Sequence, residues 1–246
     1  MCERYLRGIR MKNEVPDNSY LKNLDVIKNL DKMDMLRFDT PVTFFVGENG
    51  VGKSTLIEAI AVACGFNAEG GTKNFCFETT RTHSDLYKHI VLEKGAKRQR
   101  DGFFLRAESF YNFASTIDMI DDGESDKIID NYGGVSLHKQ SHGESFLATI
   151  ENRFGDGLYI LDEPEAALSP KGIMRLIANI HQLVKKGAQF VISTHSAMLL
   201  TYPYASIYEI TKKGISLVPY EQTEHFELTK TFLNNPQHLL KYLIEE

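Results

Sequence analysis

Short continuous apolar runs alternate with longer stretches of helical spacing along the chain. Val42–Val46 is an apolar run rich in β-branched and aromatic residues, which is typical of a strand buried on both faces. A glycine-containing turn follows, and then a predicted helix over residues 53–64 with four apolar residues on one face: Leu56, Ile57, Ile60 and Ala61. Gly65 is a natural residue to end that helix. Strand, turn and helix in this order form half of a βαβ unit.

The same alternation returns in the second half of the chain. The pattern predicts a strand over 157–161, a helix over Pro170–Lys185 and a strand over Gln189–Ser193. A closing hairpin and two short helices are then predicted, over 206–210, 215–219, 224–233 and Pro236–Ile244. Strands that alternate with helices favour a mostly parallel sheet.

Residues 66–150 have a less regular pattern. Residues 88–93 and 102–108 are predicted to pair as a hairpin, with four basic residues at its tip: Lys94, Lys97, Arg98 and Arg100. Residues 117–130 carry six carboxylates and are predicted to form a solvated, partly helical lobe. We expect a single domain over 1–246, divided into N-terminal strands and a β subdomain (1–110), a helical lobe (about 111–150) and a C-terminal part (151–246).

Composition and charge limit the classes of protein to consider. Of the 246 residues, 42% are hydrophobic and 25% charged, which is ordinary for a globular protein and too apolar for disorder. There is no run of 18 apolar residues and the first 20 are charged throughout, so we expect no membrane span and no signal peptide. Cys2, Cys64 and Cys76 lack metal-type spacing, and we interpret them as thiols of a cytoplasmic protein. Because the net charge is −5, nucleic-acid binding would need a local basic patch.

The strongest chemical signal follows the first buried strand and fits the pattern G-x-x-x-x-G-K-[ST] at every fixed position. In such a loop the backbone N–H groups point at phosphate oxygens. Lys53 is predicted to reach the β- and γ-phosphates, and the hydroxyl of Ser54 to bind magnesium. The predicted ligands are therefore a nucleotide with β- and γ-phosphates and Mg²⁺, and the predicted binding residues are Gly47, Glu48, Asn49, Gly50, Val51, Gly52, Lys53, Ser54 and Thr55.

Polar residues also follow two later buried strands. Asp162 is predicted to hold magnesium through water, and the adjacent Glu163 to orient or deprotonate the attacking water. The alternative is an acidic strand end that caps the next helix. His195 follows the strand Gln189–Ser193 at the sheet edge where open α/β proteins bind ligands. It is interpreted as a contact to the γ-phosphate or to the water at Glu163, with a structural histidine as the alternative.

The segment Ser141-His-Gly-Glu144 fits a capping box, in which Ser141 begins a helix and Glu144 bonds back to it. A helix N-terminus with a glycine and a serine hydroxyl is also suited to bind an anion. Local chemistry leaves the source of that anion open.

Taken together, the phosphate loop, Ser-x-Gly-Glu, Leu-Asp-Glu-Pro and Thr-His-Ser resemble the ABC-type ATPase superfamily in order and spacing. Within it, the chain looks like the stand-alone, head-type AAA/ABC ATPases related to SMC, RecF and OLD-type ATPases. Three stretches carry that closer likeness: Arg106-Ala-Glu-Ser-Phe110, Ser141-His-Gly-Glu-Ser-Phe146 and Leu161-Asp-Glu-Pro-Glu-Ala-Ala-Leu-Ser-Pro170. The resemblance implies an α/β P-loop NTPase with a mostly parallel core sheet, an antiparallel β subdomain and an inserted helical lobe.

The resemblance also implies roles for these residues. Asp162 and Glu163 match the Walker B pair, residues 165–169 the D-loop and His195 the switch histidine. Three residues match the signature motif, which completes the ATP site of a second subunit: Ser141, Gly143 and Glu144. The implied protein is a Mg²⁺-dependent ATPase that forms a homodimer around two ATP molecules.

Two departures from the family pattern bear on the function. The signature reads Gln-Ser-His-Gly-Glu instead of the transporter-type Leu-Ser-Gly-Gly-Gln, and no Q-loop glutamine is evident, with Glu108 as the candidate for that position. We therefore expect a role in DNA repair or phage defence, with nucleic acid or a nuclease or other effector protein as partner. The alternatives are an ATP-binding subunit that energises a membrane transporter and, less in keeping with the signature motif, a small-molecule kinase.

Overall fold

The computed structural model describes residues 4–72, 83–107, 110 and 141–244. The strands of this part of the chain are β1 (Leu6–Met11), β2 (Leu36–Arg37), β3 (Val42–Val46), β4 (Ile90–Lys94), β5 (Gly102–Arg106), β6 (Leu158–Asp162), β7 (Gln189–Ser193), β8 (Ala205–Ile210) and β9 (Ile215–Leu217). Its α-helices are α1 (Asp25–Leu30), α2 (Lys53–Ala63), α3 (His142–Arg153), α4 (Pro170–Lys185), α5 (Ala197–Leu200), α6 (Glu224–Asn234) and α7 (Pro236–Ile244).

The core is a six-stranded sheet in the order β5-β6-β7-β3-β8-β9, parallel except for the last strand. Every residue of β3, β6 and β7 is buried, as their continuous apolar sequences predict. Side chains alternate between two hydrophobic clusters: Phe44 packs in the cluster with α3 and α4, and Phe45 in the cluster with α1 and α2. The predicted mostly parallel α/β core is confirmed.

A smaller antiparallel sheet, in the order β2-β1-β4, accompanies this core. Its apolar residues Leu6 and Ile9 share a cluster with Leu56 and Ile60 of α2, so that helix packs between the two sheets. This sheet is the predicted antiparallel subdomain. The helical lobe predicted for about 111–150 is described only from residue 141 onward, where α3 begins.

The predicted hairpin of residues 88–93 and 102–108 is wrong, although both strands exist. Strand β4 pairs with β1 in the small sheet, whereas β5 pairs in parallel with β6 in the core sheet. The physical reason is burial: Phe103, Phe104 and Leu105 are all buried, which requires a strand covered on both faces. The segment with the four basic residues therefore connects two sheets.

The other elements for which the sequence predicted bounds agree with the structure. Helix α4 has the predicted bounds, because the side chain of Ser169 accepts a hydrogen bond from the N–H of Gly172 and proline occupies the first helical position. Strands β8 and β9 form the predicted closing hairpin, and α6 and α7 follow it. Among the helices in the described ranges, none has the length and apolarity needed to cross a bilayer.

Candidate functional site

The glycine loop between β3 and α2 has the backbone conformation that its sequence requires. Gly47, Gly50 and Gly52 have positive φ angles of 146°, 84° and 100°. A Cβ atom on Gly47 would lie 2.4 Å from the carbonyl oxygen of Ile210, so no larger residue fits there. The crest of the loop, from Glu48 to Gly50, is exposed to solvent.

Lys53 begins α2 and points back into this loop. Its side chain is buried, and its Nζ donates hydrogen bonds to the carbonyl oxygens of Gly47 at 2.8 Å and Glu48 at 2.9 Å. Burial lowers the pKa of Lys53, while the negative charges of Glu163 and Asp162 act in the opposite direction. The ammonium group is thus held inside the turn of the loop.

Asp162 ends β6 and is almost fully buried. Its Oδ1 accepts a hydrogen bond of 2.5 Å from Oγ of Ser193, and its Oδ2 lies 3.3 Å from Nε of Arg106. Ser54 also donates a hydrogen bond to this carboxylate. Burial raises the pKa of Asp162, and the bond from Ser193 and the charge of Arg106 oppose that rise.

Arg106 joins three elements at this point. From the end of β5 its Nη1 reaches Oε2 of Glu58 on α2 at 3.1 Å, in addition to its ion pair with Asp162 on β6. Glu58 is itself buried, and its other oxygen accepts a hydrogen bond from the N–H of Ser84 at 2.8 Å. The positive charge of Arg106 therefore compensates the negative charges of two buried carboxylates.

Glu163 has a strained backbone. Its φ and ψ angles of 49° and 53° lie in the left-handed region, and among the described residues no other non-glycine residue has positive φ. Its N–H donates to the carbonyl oxygen of Ser193 at 3.1 Å. This turn directs the half-exposed carboxylate towards His195, whose Nε2 lies 3.4 Å from Oε1 of Glu163.

His195 follows β7 and is held by contacts on both its backbone and its ring. Its N–H donates to Oε1 of Glu165 at 2.5 Å, and its Nδ1 lies 2.7 Å from Nε2 of His225. Burial, together with the charges of Lys53 and His225, lowers the pKa of His195 to about 4. The ring is therefore neutral at neutral pH.

A cleft of about 200 Å³ opens beside these groups. It is lined by Ser54, Arg106, Ala107, Asp162, Glu163, Ala166 and Ala167. Two carboxylates, a hydroxyl and a guanidinium thus face one space that is large enough for several water molecules or a phosphate group.

The predicted capping box at Ser141 is present. The hydroxyl of Ser141 accepts a hydrogen bond from the N–H of Glu144, whose Oε2 accepts from the N–H of Ser141 at 3.1 Å and from its hydroxyl at 2.7 Å. A Cβ atom on Gly143 would lie 2.7 Å from the carbonyl oxygen of Ala167, so glycine permits a close approach of α3 to the wall of the cleft. Ser141 itself is exposed.

The predicted site residues thus form two groups. Lys53 and Ser54, which follow the glycine loop, lie near Asp162, Glu163 and His195 at the carboxyl edge of the core sheet. Val51 of the loop is buried, and Thr55 is half-buried on α2. Ser141, Gly143 and Glu144 lie at the start of α3 and adjoin this group through Ala167. Glu108 lies outside the described residues.

Three residues of the site were missed by the sequence interpretation. Arg106 stands in the stretch that carries the family likeness, and Ser193 stands in the strand-end cluster before His195, so both had a local signal. His225 had none, because it lies on a helix 30 residues after its partner in the sequence.

Comparisons with known proteins show the family of this chain. A family model described as an AAA domain matches residues 20–149, more than half of the chain. A second model, described as an AAA domain, putative AbiEii toxin, type IV TA system, matches residues 135–201. A search of curated proteins found no match.

Two solved ABC transporter components share the fold at low sequence identity. The protein cbiO1 from Clostridium perfringens, part of the ABC transporter complex cbiONQ, matches with a TM-score of 0.52 and 16% identity over 99% of this chain and 100% of its own. An ATP-binding cassette of another ABC transporter matches with a TM-score of 0.50 and 16% identity over 97% and 98%. The SMC head domain from Thermotoga maritima has a TM-score of 0.45 and 16% identity over 87% and 98%. The chain therefore belongs to the AAA-domain family, and it has the fold of an ABC-type ATPase head.

Proposed function

We propose that this protein is an ATP-binding and ATP-hydrolysing switch that closes as a homodimer around two ATP molecules and reopens after hydrolysis. The observation that carries the proposal is the meeting of Lys53, Asp162, Glu163 and His195 beside the glycine loop at one edge of the core sheet. The AAA-domain family and the ABC-type fold support it, because both imply nucleotide binding.

Lys53 and the glycine loop would bind the phosphates. The ammonium group lies inside the turn, where its acceptors are two neutral carbonyl oxygens. A phosphate oxygen is a stronger acceptor because it is charged. The N-terminus of α2 adds backbone N–H groups and a favourable dipole at the same place.

The residues present fit a magnesium ion. Ser54 and Asp162 are hydrogen-bonded to each other and line the same cleft, and both offer the hard oxygen atoms that Mg²⁺ prefers. When bound, Mg²⁺ neutralises charge that develops on the phosphate oxygens. Ser193 and Arg106 would hold Asp162 in place for this role.

Glu163 is the proposed catalytic base. Its carboxylate would accept a proton from water while the water oxygen bonds to the γ-phosphorus and the bond from that phosphorus to the bridging oxygen of ADP breaks. The fixed backbone of Glu163 orients the carboxylate before the reaction. His195, 3.4 Å from it, would donate a hydrogen bond to a γ-phosphate oxygen.

A second copy of the chain would complete each site. Ser141 is exposed at the N-terminus of the 12-residue helix α3, and such a terminus attracts anions. In the closed dimer it would face the γ-phosphate of ATP bound to the other copy. Because ADP lacks that phosphate, only ATP would favour closure.

For the output of the switch we propose DNA repair or phage defence, with nucleic acid or a nuclease or other effector protein as partner. The description of the second family model, a putative AbiEii toxin, supports a role in defence. Lys94, Arg98 and Arg100 are exposed and support contact with nucleic acid. Lys97 differs from them, since its ammonium pairs with Asp156.

A transporter subunit is the alternative. It is favoured by two solved structures that share the fold, cbiO1 and the ATP-binding cassette, since both are components of ABC transporters. The signature Gln-Ser-His-Gly-Glu differs from the transporter-type Leu-Ser-Gly-Gly-Gln and ends in a glutamate. This difference argues against a transporter subunit. Stimulation of ATP hydrolysis by DNA or RNA would favour a role in DNA repair or phage defence. Recovery of the protein with a membrane permease would favour a transporter subunit.

The direct test is release of inorganic phosphate from ATP by the purified protein. We expect turnover with magnesium, none with EDTA in excess and none in Lys53→Ala. Lys171→Ala, which removes an exposed lysine from the first turn of α4, is the matched control and should hydrolyse ATP like the wild type. Equal turnover in Lys53→Ala and Lys171→Ala would overturn the proposed function.

A further inference from the structure

The helix α6 reaches the candidate site through its first turn. Nε2 of His225, the second residue of the helix, lies 2.7 Å from Nδ1 of His195, and the two ring centroids are 4.8 Å apart. Elsewhere α6 lies on the surface, since none of its residues is buried. The pair of histidines is thus the point at which this helix meets the site.

The first turn of α6, which carries His225, is held in place by hydrogen bonds to the side chains of Thr223 and Glu209. Thr223 is fully buried and caps α6: its Oγ1 donates to the carbonyl oxygen of Tyr220 at 2.7 Å and accepts from the N–H of Phe226 at 3.4 Å. Oε1 of Glu209, on β8, accepts from the N–H of Glu224 at 3.1 Å. The start of the helix is therefore held against the core sheet, and the ring of His225 is held with it.

Only one proton can lie between Nδ1 of His195 and Nε2 of His225. Both rings are neutral at neutral pH, because burial lowers the pKa of His195 to about 4 and also lowers the pKa of His225. Each neutral ring carries one N–H, so one ring donates and the other accepts. The choice between the two arrangements decides which nitrogen of His195 carries its proton.

The surroundings favour donation by His225. If its Nε2 donates, Nδ1 of His195 is the acceptor and the proton of His195 lies on Nε2, 3.4 Å from Oε1 of Glu163. In the opposite arrangement a bare Nε2 would face that carboxylate, and two acceptors would repel each other. Within the described part of the chain, Nδ1 of His225 has no hydrogen-bond partner that would favour the opposite arrangement.

We propose that His225 is a positioning residue, which donates a hydrogen bond from Nε2 to Nδ1 of His195 and so holds His195 in the Nε2–H tautomer. This inference rests on the proposed function, in which His195 donates from Nε2 to the γ-phosphate of ATP. His195 with a bare Nε2 would have no proton to donate to a phosphate oxygen. His225 acts through His195 and does not touch the nucleotide.

Three variants separate the hydrogen bond from packing. His225→Gln places an amide N–H₂ at about the reach of Nε2, His225→Asn carries the same amide on a shorter side chain, and His225→Leu fills space without a donor. We expect Leu and Asn to lower kcat by about 10- to 100-fold with unchanged KM, a loss of the size that follows when the hydrogen-bond partner of a metal-bound histidine is replaced. Gln should retain most of the wild-type kcat. In a His195→Ala background, His225→Leu should cause no further loss.

The tautomer itself is read by nitrogen NMR of the full chain labelled with ¹⁵N-histidine, a measurement that needs no ATP hydrolysis. The signals of His195, among eight histidines, are assigned by their loss in His195→Ala. We expect the Nε2–H tautomer in the wild type and in His225→Gln, with the bare Nδ1 shifted by the hydrogen bond that it accepts. In His225→Leu, which offers no donor, Nδ1 should move towards the shift of an imidazole nitrogen that accepts no hydrogen bond. The Nδ1–H tautomer in the wild type, or an Nδ1 shift unchanged in His225→Leu, would overturn the inference.

The two proposals fail in different ways. If the wild type hydrolyses ATP and His225→Leu has the same kcat, the inference about His225 is wrong and the proposed function stands. If the wild type hydrolyses no ATP under any condition, the proposed function is wrong, and the NMR spectra still decide whether His225 donates a hydrogen bond to Nδ1 of His195.

Discussion

Ser193 and Asp162 are paired residues on the neighbouring parallel strands β7 and β6, and the hydroxyl of Ser193 donates a hydrogen bond of 2.5 Å to the carboxylate of Asp162. Both residues are buried. The carboxylate proposed to hold magnesium is therefore fixed by the next strand of the sheet as well as by Arg106.

This relationship predicts a difference in stability between two serine variants. Ser193→Ala removes a hydrogen bond to a buried carboxylate, and we expect it to lower the free energy of unfolding by about 1.5–3 kcal/mol. Ser206→Ala is the control, since Ser206 is also buried on a core strand but bonds to the neutral hydroxyl of Thr40 at 2.9 Å. Its expected cost is about 0.5–1.5 kcal/mol. Urea denaturation of both variants measures the difference, and equal costs would show that the Asp162 contact contributes nothing beyond a neutral hydrogen bond.

Binding of ATP to the glycine loop predicts a gain in stability that depends on Lys53. The wild type should gain about 2.7 kcal/mol at an ATP concentration one hundred times the Kd. Lys53→Ala should show no such gain, because it loses the ammonium group inside the loop. Thermal unfolding with and without magnesium-ATP measures the gain, with Lys171→Ala as control. An undiminished shift in Lys53→Ala would exclude the loop as the phosphate site.

The sequence predicted the bounds of individual helices and strands better than the pairing of the strands. The bounds of α4 follow from Ser169, Pro170 and a continuous apolar face, all of which act within one segment. The pairing of β4 and β5 was predicted wrongly because strand pairing depends on the rest of the fold. The run Phe103-Phe-Leu105 was itself a sign of a strand covered on both faces, which an isolated hairpin does not provide.

The same distinction holds for the candidate site. Lys53, Asp162 and Glu163 belong to motifs in which chemistry and spacing are local, so they could be proposed from the sequence alone. The left-handed backbone of Glu163 and the ion pairs of Arg106 arise only when strands from distant parts of the chain meet. His225 enters the site from a surface helix, and nothing in its own segment indicates that contact.

The proposed closure predicts opposite effects of two substitutions of equal size at Ser141. Asparagine and aspartate both cap helices well, so either should preserve the start of α3. Aspartate would place a negative charge against the γ-phosphate of the partner's ATP, whereas asparagine would not. We therefore expect ATP binding in both variants but ATP-dependent dimerisation only in Ser141→Asn. Sedimentation velocity with magnesium-ATP measures the dimer, and equal dimerisation of both variants would contradict the two-copy site.

The exposed basic residues at the end of β4 and in its connection to β5 permit a test of nucleic-acid binding. Lys94, Arg98 and Arg100 are exposed, whereas Lys97 packs over the ring of Tyr5 at 4.7 Å and pairs with Asp156, so it is left unchanged. Replacing the three exposed residues with glutamate should weaken binding to duplex DNA. Each lost phosphate contact should reduce the slope of log K against log salt by about 0.9.

The control for this test replaces three other exposed lysines, Lys171, Lys186 and Lys213, with glutamate, which gives a charge change comparable in size. Fluorescence anisotropy over a range of salt concentrations measures the slope. Unchanged DNA binding in the first variant, or equal weakening in the control, would assign the partner role to another surface.

In the proposed cycle, ATP closes two copies of this chain, and hydrolysis that depends on Glu163 then reopens them. Glu163→Gln keeps the size of the side chain and removes the charge that activates water, while Lys53, Ser54 and Asp162 remain. Loss of a general base lowers turnover by about 10²–10⁴-fold, so bound ATP would persist and the closed dimer would accumulate. The most direct measurement is the molar mass of Glu163→Gln by light scattering after size exclusion. The account predicts the mass of two chains with magnesium-ATP and a smaller mass with magnesium-ADP or without nucleotide; the same mass in all three conditions, or wild-type hydrolysis by this variant, would contradict it.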